Sequence, residues 1–149
     1  MAKKTPSVQS YISYSLAAAH RRLHSDLNEE LKKIGLQVEA WRVLQSLQMS
    51  EGYTMSELAE IVLMNKPTLT KLVDRMVADG LVQRKLGQED QRQVRLILTN
   101  LGARICKDVM QHAERQNDDI IERIGAEKAQ ILRDALDELS APKPATAEQ

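Results

Sequence analysis

Asn65-Lys-Pro-Thr-Leu-Thr-Lys-Leu-Val-Asp-Arg-Met-Val-Ala-Asp-Gly80 carries one helix with two unlike faces. Leu69, Leu72, Val73, Met76 and Val77 recur at steps of three and four, the spacing of an apolar stripe facing a core. Asn65 is placed to cap the first turn, Pro67 sits where its missing N–H is harmless, and Gly80 suits a left-handed stop. Just before it, Thr54-Met-Ser-Glu57 has the spacing of a capping box and opens a short helix with Leu58, Ala59, Ile61 and Val62 inside. Just after it, the period changes to two. Leu81 to Leu86 and Val94 to Leu98 read as the strands of a hairpin with a polar tip. Two short helices followed by a hairpin form the pattern of a winged helix-turn-helix over residues 36–99, in which the second helix reads DNA.

The flanks are helical. From Val8 to Ile34 an apolar stripe (Ile12, Leu16, Leu23, Leu27, Leu31) predicts a helix of about 27 residues and roughly 40 Å, ended by Gly35. Val38 to Met49 forms a second amphipathic pattern closed by Gly52. Thr99 caps a helix from Asn100 to Ile124, and Glu127 to Leu139 forms the last. Helices this long need a partner to cover their stripe, from the same chain or a second copy. The reading is therefore a mainly α chain with a small β-hairpin wing: residues 7–34 and 100–140 as a helical lobe around the winged helix-turn-helix, all within a single domain over 1–140, and a flexible tail over 141–149.

Composition narrows the functions. The 149 residues hold 42% hydrophobic and 28% charged side chains, the balance of a globular protein. One Cys excludes an internal disulfide, no run of eighteen apolar residues occurs, and Met1-Ala-Lys-Lys-Thr-Pro shows no apolar signal segment, so a cytoplasmic protein without a membrane partner is expected. The six glycines form no phosphate-cradling loop, and no nucleophile–base pair stands out, which argues against an enzyme and against a bound cofactor or resident metal. A pure helical interaction module would leave the polar face of the second helix unexplained.

That face holds Thr68, Lys71 and Arg75 at spacings of three and four, with Asn65, Lys66 and Thr70 near the helix start. These side chains suit base edges and phosphates. Formal net charge is zero, which argues against nucleic acid until the charges are divided. Residues 65–99 carry 7 basic against 4 acidic side chains, residues 1–64 carry 7 of each, and residues 100–149 carry 7 against 10. The reading helix and hairpin are thus the basic part, and screening beyond about 8–10 Å makes the local excess what a phosphate backbone feels.

Trp41-Arg-Val-Leu44, Thr54-Met-Ser-Glu-Leu-Ala59, Pro67-Thr-Leu-Thr-Lys-Leu-Val-Asp-Arg-Met76, Gly80-Leu-Val-Gln-Arg84, Asp90-Gln-Arg92 and Leu98-Thr-Asn-Leu-Gly102, in this order and spacing, resemble the MarR family of bacterial transcription regulators. The resemblance spans about residues 8 to 140. It implies a homodimer in which the first and last two helices form the dimer lobe while each winged helix-turn-helix reads half of a palindromic operator in double-stranded DNA. It also implies that Asp90 orients Arg92 at the wing tip for entry into a minor groove. Arg84, Lys85 and Arg95 on the strands are then phosphate contacts.

The same resemblance implies a small-molecule pocket between the lobes and hence a repressor released by its effector. Its candidates are Tyr11, Tyr14, Ser15, Trp41, Arg42, Met110 and His112, beside a cationic patch of His20, Arg21, Arg22 and His24. Cations beside aromatics suit an anionic aromatic ligand, an aromatic carboxylate or its acyl-coenzyme A thioester. The bland alternative is that the aromatics are core and the cations a solvated face. Two other controls on the same fold stay open: a metal held by His20 and His24 with His112, or oxidation of Cys106.

Overall fold

A computed structural model describes residues 5–142, which divide into two compact units at His112. In the first unit, helix α1 (Ile12–Lys32) is followed by α2 (Val38–Gln48), α3 (Met55–Ile61), α4 (Lys66–Ala78), strands β1 (Val82–Leu86) and β2 (Val94–Leu98), and the start of α5 (Asn100–Ile124). The second unit contains the end of α5 and α6 (Ala126–Ser140). The chain is mainly α with one antiparallel hairpin, a winged helix-turn-helix flanked by helices. Among the described residues no helix is long and apolar enough to cross a membrane.

The first helix is shorter than its stripe. Residues Val8–Ser10 form a separate 3-10 turn, capped by Ser7, whose side chain accepts from the Gln9 amide. Tyr11 then adopts an extended conformation (φ −86°, ψ 139°), which breaks the predicted continuity before α1 begins. The remaining bounds match the reading to within a few residues. Met1–Lys4 and residues 143–149, the latter most of the expected tail, lie outside the described residues.

The core of the first unit gathers the apolar stripes of all its elements. Leu31 of α1, Val43 and Leu44 of α2, Leu58 of α3, Leu69 and Val73 of α4, Leu96 of β2 and Val109 of α5 are fully or nearly fully buried. Its buried set contains no polar or charged residue, so packing rather than ion pairs holds α3 and α4 together. The capping box is formed in both directions: the Glu57 amide donates to Thr54 Oγ1 at 3.3 Å, and the Thr54 amide to Glu57 Oε2 at 2.8 Å. At the end of α4, the amides of Gly80 (φ 76°) and Leu81 donate to the carbonyls of Val77 and Met76 at 3.0 and 2.9 Å, turning the chain into β1.

Two features join the wing to the rest of its unit. Tyr53 forms a β-bridge to Leu96, with amide-to-carbonyl distances of 3.2 and 2.7 Å, so the loop before α3 acts as a minimal third strand. On the other side, Thr99 Oγ1 donates to the Gly80 carbonyl at 2.6 Å and accepts from the Gly102 amide at 3.0 Å. Gly102 is there because nothing larger fits: an added Cβ would lie 2.2 Å from the Leu81 carbonyl oxygen.

Candidate nucleic-acid interface

Helix α4 buries Leu69, Val73 and Met76, and this rotation leaves Lys66, Thr68, Thr70, Lys71 and Arg75 exposed on its opposite side. Asn65 is exposed too, but its Oδ1 accepts from the Thr68 amide at 2.9 Å, so the cap uses the acceptor and leaves the amide donors for a ligand. Thr70 Oγ1 donates to the Lys66 carbonyl at 2.8 Å, turned back onto its own helix. The side chains best placed to reach outward are therefore Lys66, Thr68, Lys71 and Arg75.

The wing adds a second group. β1 and β2 pair from Val82↔Leu98 to Leu86↔Val94. The tip is closed by the Gly87 amide donating to Gln93 O at 2.8 Å and by the Gln93 amide donating to Asp90 O at 3.0 Å. Asp90 Oδ1 accepts from the Arg92 backbone amide at 2.9 Å. The carboxylate thus fixes the backbone from which Arg92 projects, and the guanidinium forms no hydrogen bond or ion pair among the described residues.

The strand cations are not equivalent. Lys85 is exposed. Arg84 pairs with Asp74 of α4, an ion pair linking the reading helix to the wing. Arg95, read from the sequence as a phosphate contact, instead donates to the Gly52 carbonyl at 2.8 Å and lies 4.0 Å from Glu57. It braces the loop that leads into α3. Asp74 escaped the sequence reading because its partner is ten residues away on another element, although its place between Lys71 and Arg75 on the exposed face was a usable signal.

The effector candidates fall into separate places within the first unit. Tyr14, Arg21 and Arg22 share a shallow groove of about 380 Å³ along α1 with Ala17, Ala18 and Ser25. Tyr11, Ser15 and His20 are exposed, and the His20 ring stands 5.5 Å from that of His24. Trp41 and Met110 pack against the core, and the Trp41 indole N–H is buried without a hydrogen-bond partner among the described residues. Arg42 is half-buried near Glu39, and His112 Nδ1 lies 3.9 Å from Glu30.

His24 Nε2 stands 2.7 Å from Glu39 Oε1, joining α1 to α2. Burial pushes the Glu39 carboxyl up, but the hydrogen bond from His24, its own backbone and the charges of His24 and Arg42 more than reverse this, leaving it below the ordinary carboxylate value. Glu57 is also held low, first by the Thr54 amide. Cys106 is fully buried and its thiol is pushed up by that burial, the opposite of the activation a thiolate sensor needs. Among the described residues no three His, Cys, Asp or Glu side chains gather as metal ligands.

The sequence model of the MarR family matches residues 34–93. The helix-turn-helix-type transcriptional regulator FarR of Neisseria gonorrhoeae is 29% identical over 136 residues, 91% of this chain and 93% of that protein. Over residues 34–93 the chain is MarR-like. The chain is also 28% identical over 130 residues to the homoprotocatechuate degradative operon repressor of Escherichia coli, covering 87% of the chain and 88% of the repressor. Among solved structures, NadR in complex with 4-hydroxyphenylacetate superposes with a TM-score of 0.78 at 28% identity, covering 98% of this chain and all of that one. The relatives named are transcriptional regulators rather than enzymes.

Proposed function

We propose that this regulator is a cytoplasmic homodimeric repressor that binds a palindromic operator and is released by a small anionic aromatic ligand. The observation that carries the DNA reading is the outward set of Lys66, Thr68, Lys71 and Arg75 on α4 together with the unpaired Arg92 guanidinium at the wing tip. A helix of this kind reads base edges in a major groove while an Arg suits the negative potential of a narrow minor groove. Lys85 and Arg84 flank it as phosphate contacts.

Dimerisation through residues 7–34 and 100–140 is supported by apolar side chains left in water within each unit. Tyr11, Ile12 and Tyr14 are 51%, 73% and 41% exposed in the first, and Ile131 and Leu139 are 60% and 66% exposed in the second. A second copy related by a twofold axis would cover them and would set two reading helices against a palindrome. The effector class follows from Arg21 and Arg22 beside Tyr14 and from the buried, unpartnered Trp41 indole. Relatives agree in kind: one represses a homoprotocatechuate degradative operon and another binds 4-hydroxyphenylacetate. A coenzyme A thioester of such an acid is the larger variant of the same ligand. The ligand acts by binding one arrangement of the reading elements better than the other.

Gel-shift titration of the full chain against the DNA upstream of its own coding sequence, with and without aromatic carboxylates and their thioesters, tests this. Binding that an aromatic acid weakens is the expected result. Failure to bind any duplex in that region or in a random pool would remove the repressor reading.

A further inference from the structure

The wing carries an apolar pair that the core does not use. The strand register places Val82, Arg84 and Leu86 on one face of the hairpin with their partners Leu98, Leu96 and Val94. Toward the root this face is covered, with Val82 and Leu96 each 1% exposed. Arg84 on the same face reaches Asp74, so the face looks toward the outer side of α4. Leu86 and Val94, opposite each other at the far end, pass beyond the core and are 65% and 46% exposed.

Single exposed apolar side chains are ordinary, but a cross-strand pair with a free face is an adhesive edge. Its surroundings identify the occupant. It lies within the segment where basic residues outnumber acidic ones 7 to 4, one residue from Lys85, two from Arg84 and two from Arg92. A duplex read by α4 in one groove and entered by the wing tip in the next must carry one backbone strand past the face between them. Along that strand, charged phosphates alternate with deoxyriboses whose C–H edges are apolar.

We infer that Leu86 and Val94 pack against the deoxyribose edge of this strand, between Arg84 on the same face and Arg92 at the wing tip. The inference rests on the DNA-binding reading above. It adds to the interface a term that does not depend on charge, one that removes apolar surface of both protein and sugar from water. Salt therefore separates it from every cationic contact, because only neutralised phosphates release counterions.

The test uses the full chain, a short duplex enriched from a random-sequence pool by that chain, and fluorescence anisotropy across a salt series. Leu86→Ser combined with Val94→Ser is expected to weaken binding about tenfold, equivalent to about 1.4 kcal/mol, with the slope of log Kd against log salt unchanged. Leu86→Met with Val94→Ile keeps the apolar edge and should stay within about twofold of the parent. If the Ser pair loosens the hairpin, as far-UV circular dichroism would register, Leu86→Thr with Val94→Thr replaces it, since Thr favours strands. Parent-like affinity in a folded polar variant, or a loss that comes with a smaller salt slope, would overturn the contact. Retained DNA affinity with lost self-association in sedimentation would assign the edge to a second copy and overturn it equally. A parent chain that enriches no duplex would instead overturn the DNA reading itself.

Discussion

Replacing Gly102 by Ala sets two rules against each other. Gly102 lies in the first turn of the 25-residue helix α5, where helix propensity alone favours Ala by about 1 kcal/mol. Packing opposes it. The new Cβ would stand 2.2 Å from the Leu81 carbonyl oxygen and 2.8 Å from Leu98 Cδ1. Since carbon–oxygen contacts close at about 3.3 Å, the two backbones must separate by roughly 1 Å. The Leu81 carbonyl accepts from the Thr99 amide at 3.1 Å, and a shift of about 1 Å breaks or stretches that bond. At about 1 kcal/mol for that hydrogen bond and about 1–3 kcal/mol for overpacking, less the propensity gain of about 1 kcal/mol, the net loss is about 1–3 kcal/mol. For a chain of this size that corresponds to a melting temperature lower by roughly 2–12 °C. Thermal melts followed by circular dichroism measure it directly. A Gly102→Ala protein as stable as the parent, or more so, would show that the junction yields and that the argument from the close approach is wrong.

The other predictions concern strain and pH. Leu63, at φ 59° and 85% exposed, is the one non-glycine residue in the left-handed region among those described, and Leu63→Gly should raise stability to urea by about 0.5–1 kcal/mol; an unchanged or lower midpoint would refute it. Because the Glu39 carboxyl is held below its ordinary value in the folded chain, its contribution is present above the unfolded pKa and fades as pH falls through the folded one. Glu39→Gln should therefore lower the melting temperature at neutral pH, with the deficit closing below about pH 4. A deficit that is the same at every pH would mean that the charge on Glu39 contributes nothing.

Local chemistry was legible in the sequence wherever it is short-ranged. Thr54, Glu57, Asn65 and Thr99 make their caps within three residues, and period counting needs no tertiary knowledge. The start of α1 was misread because the apolar stripe continues through Val8 while the backbone does not: Ser7 and Tyr11 end the turn locally, and periodicity is blind to that. The exposed cations of α4 were identifiable from spacing, and those of the wing from the family resemblance. What each does with its charge was not, because Arg84 meets Asp74 across ten residues and Arg95 meets Gly52 across forty-three. The His24–Glu39 link and the Tyr53 bridge are hidden for the same reason.

The Asp74–Arg84 pair has a consequence for what kind of sequence information the proposed reader can extract. Together with the burial of Val82 and Met76 in one core, it sets the separation between the part aimed at one groove and the part aimed at the next. A reader with a set gauge does not adapt to the duplex, so the duplex must adapt to it. Base pairs between the two contacts, touched by no side chain, then contribute through the work of widening, narrowing or bending them, which flexible pyrimidine–purine steps lower and stiff tracts raise. Loosening the clamp would trade that mechanical discrimination for tolerance.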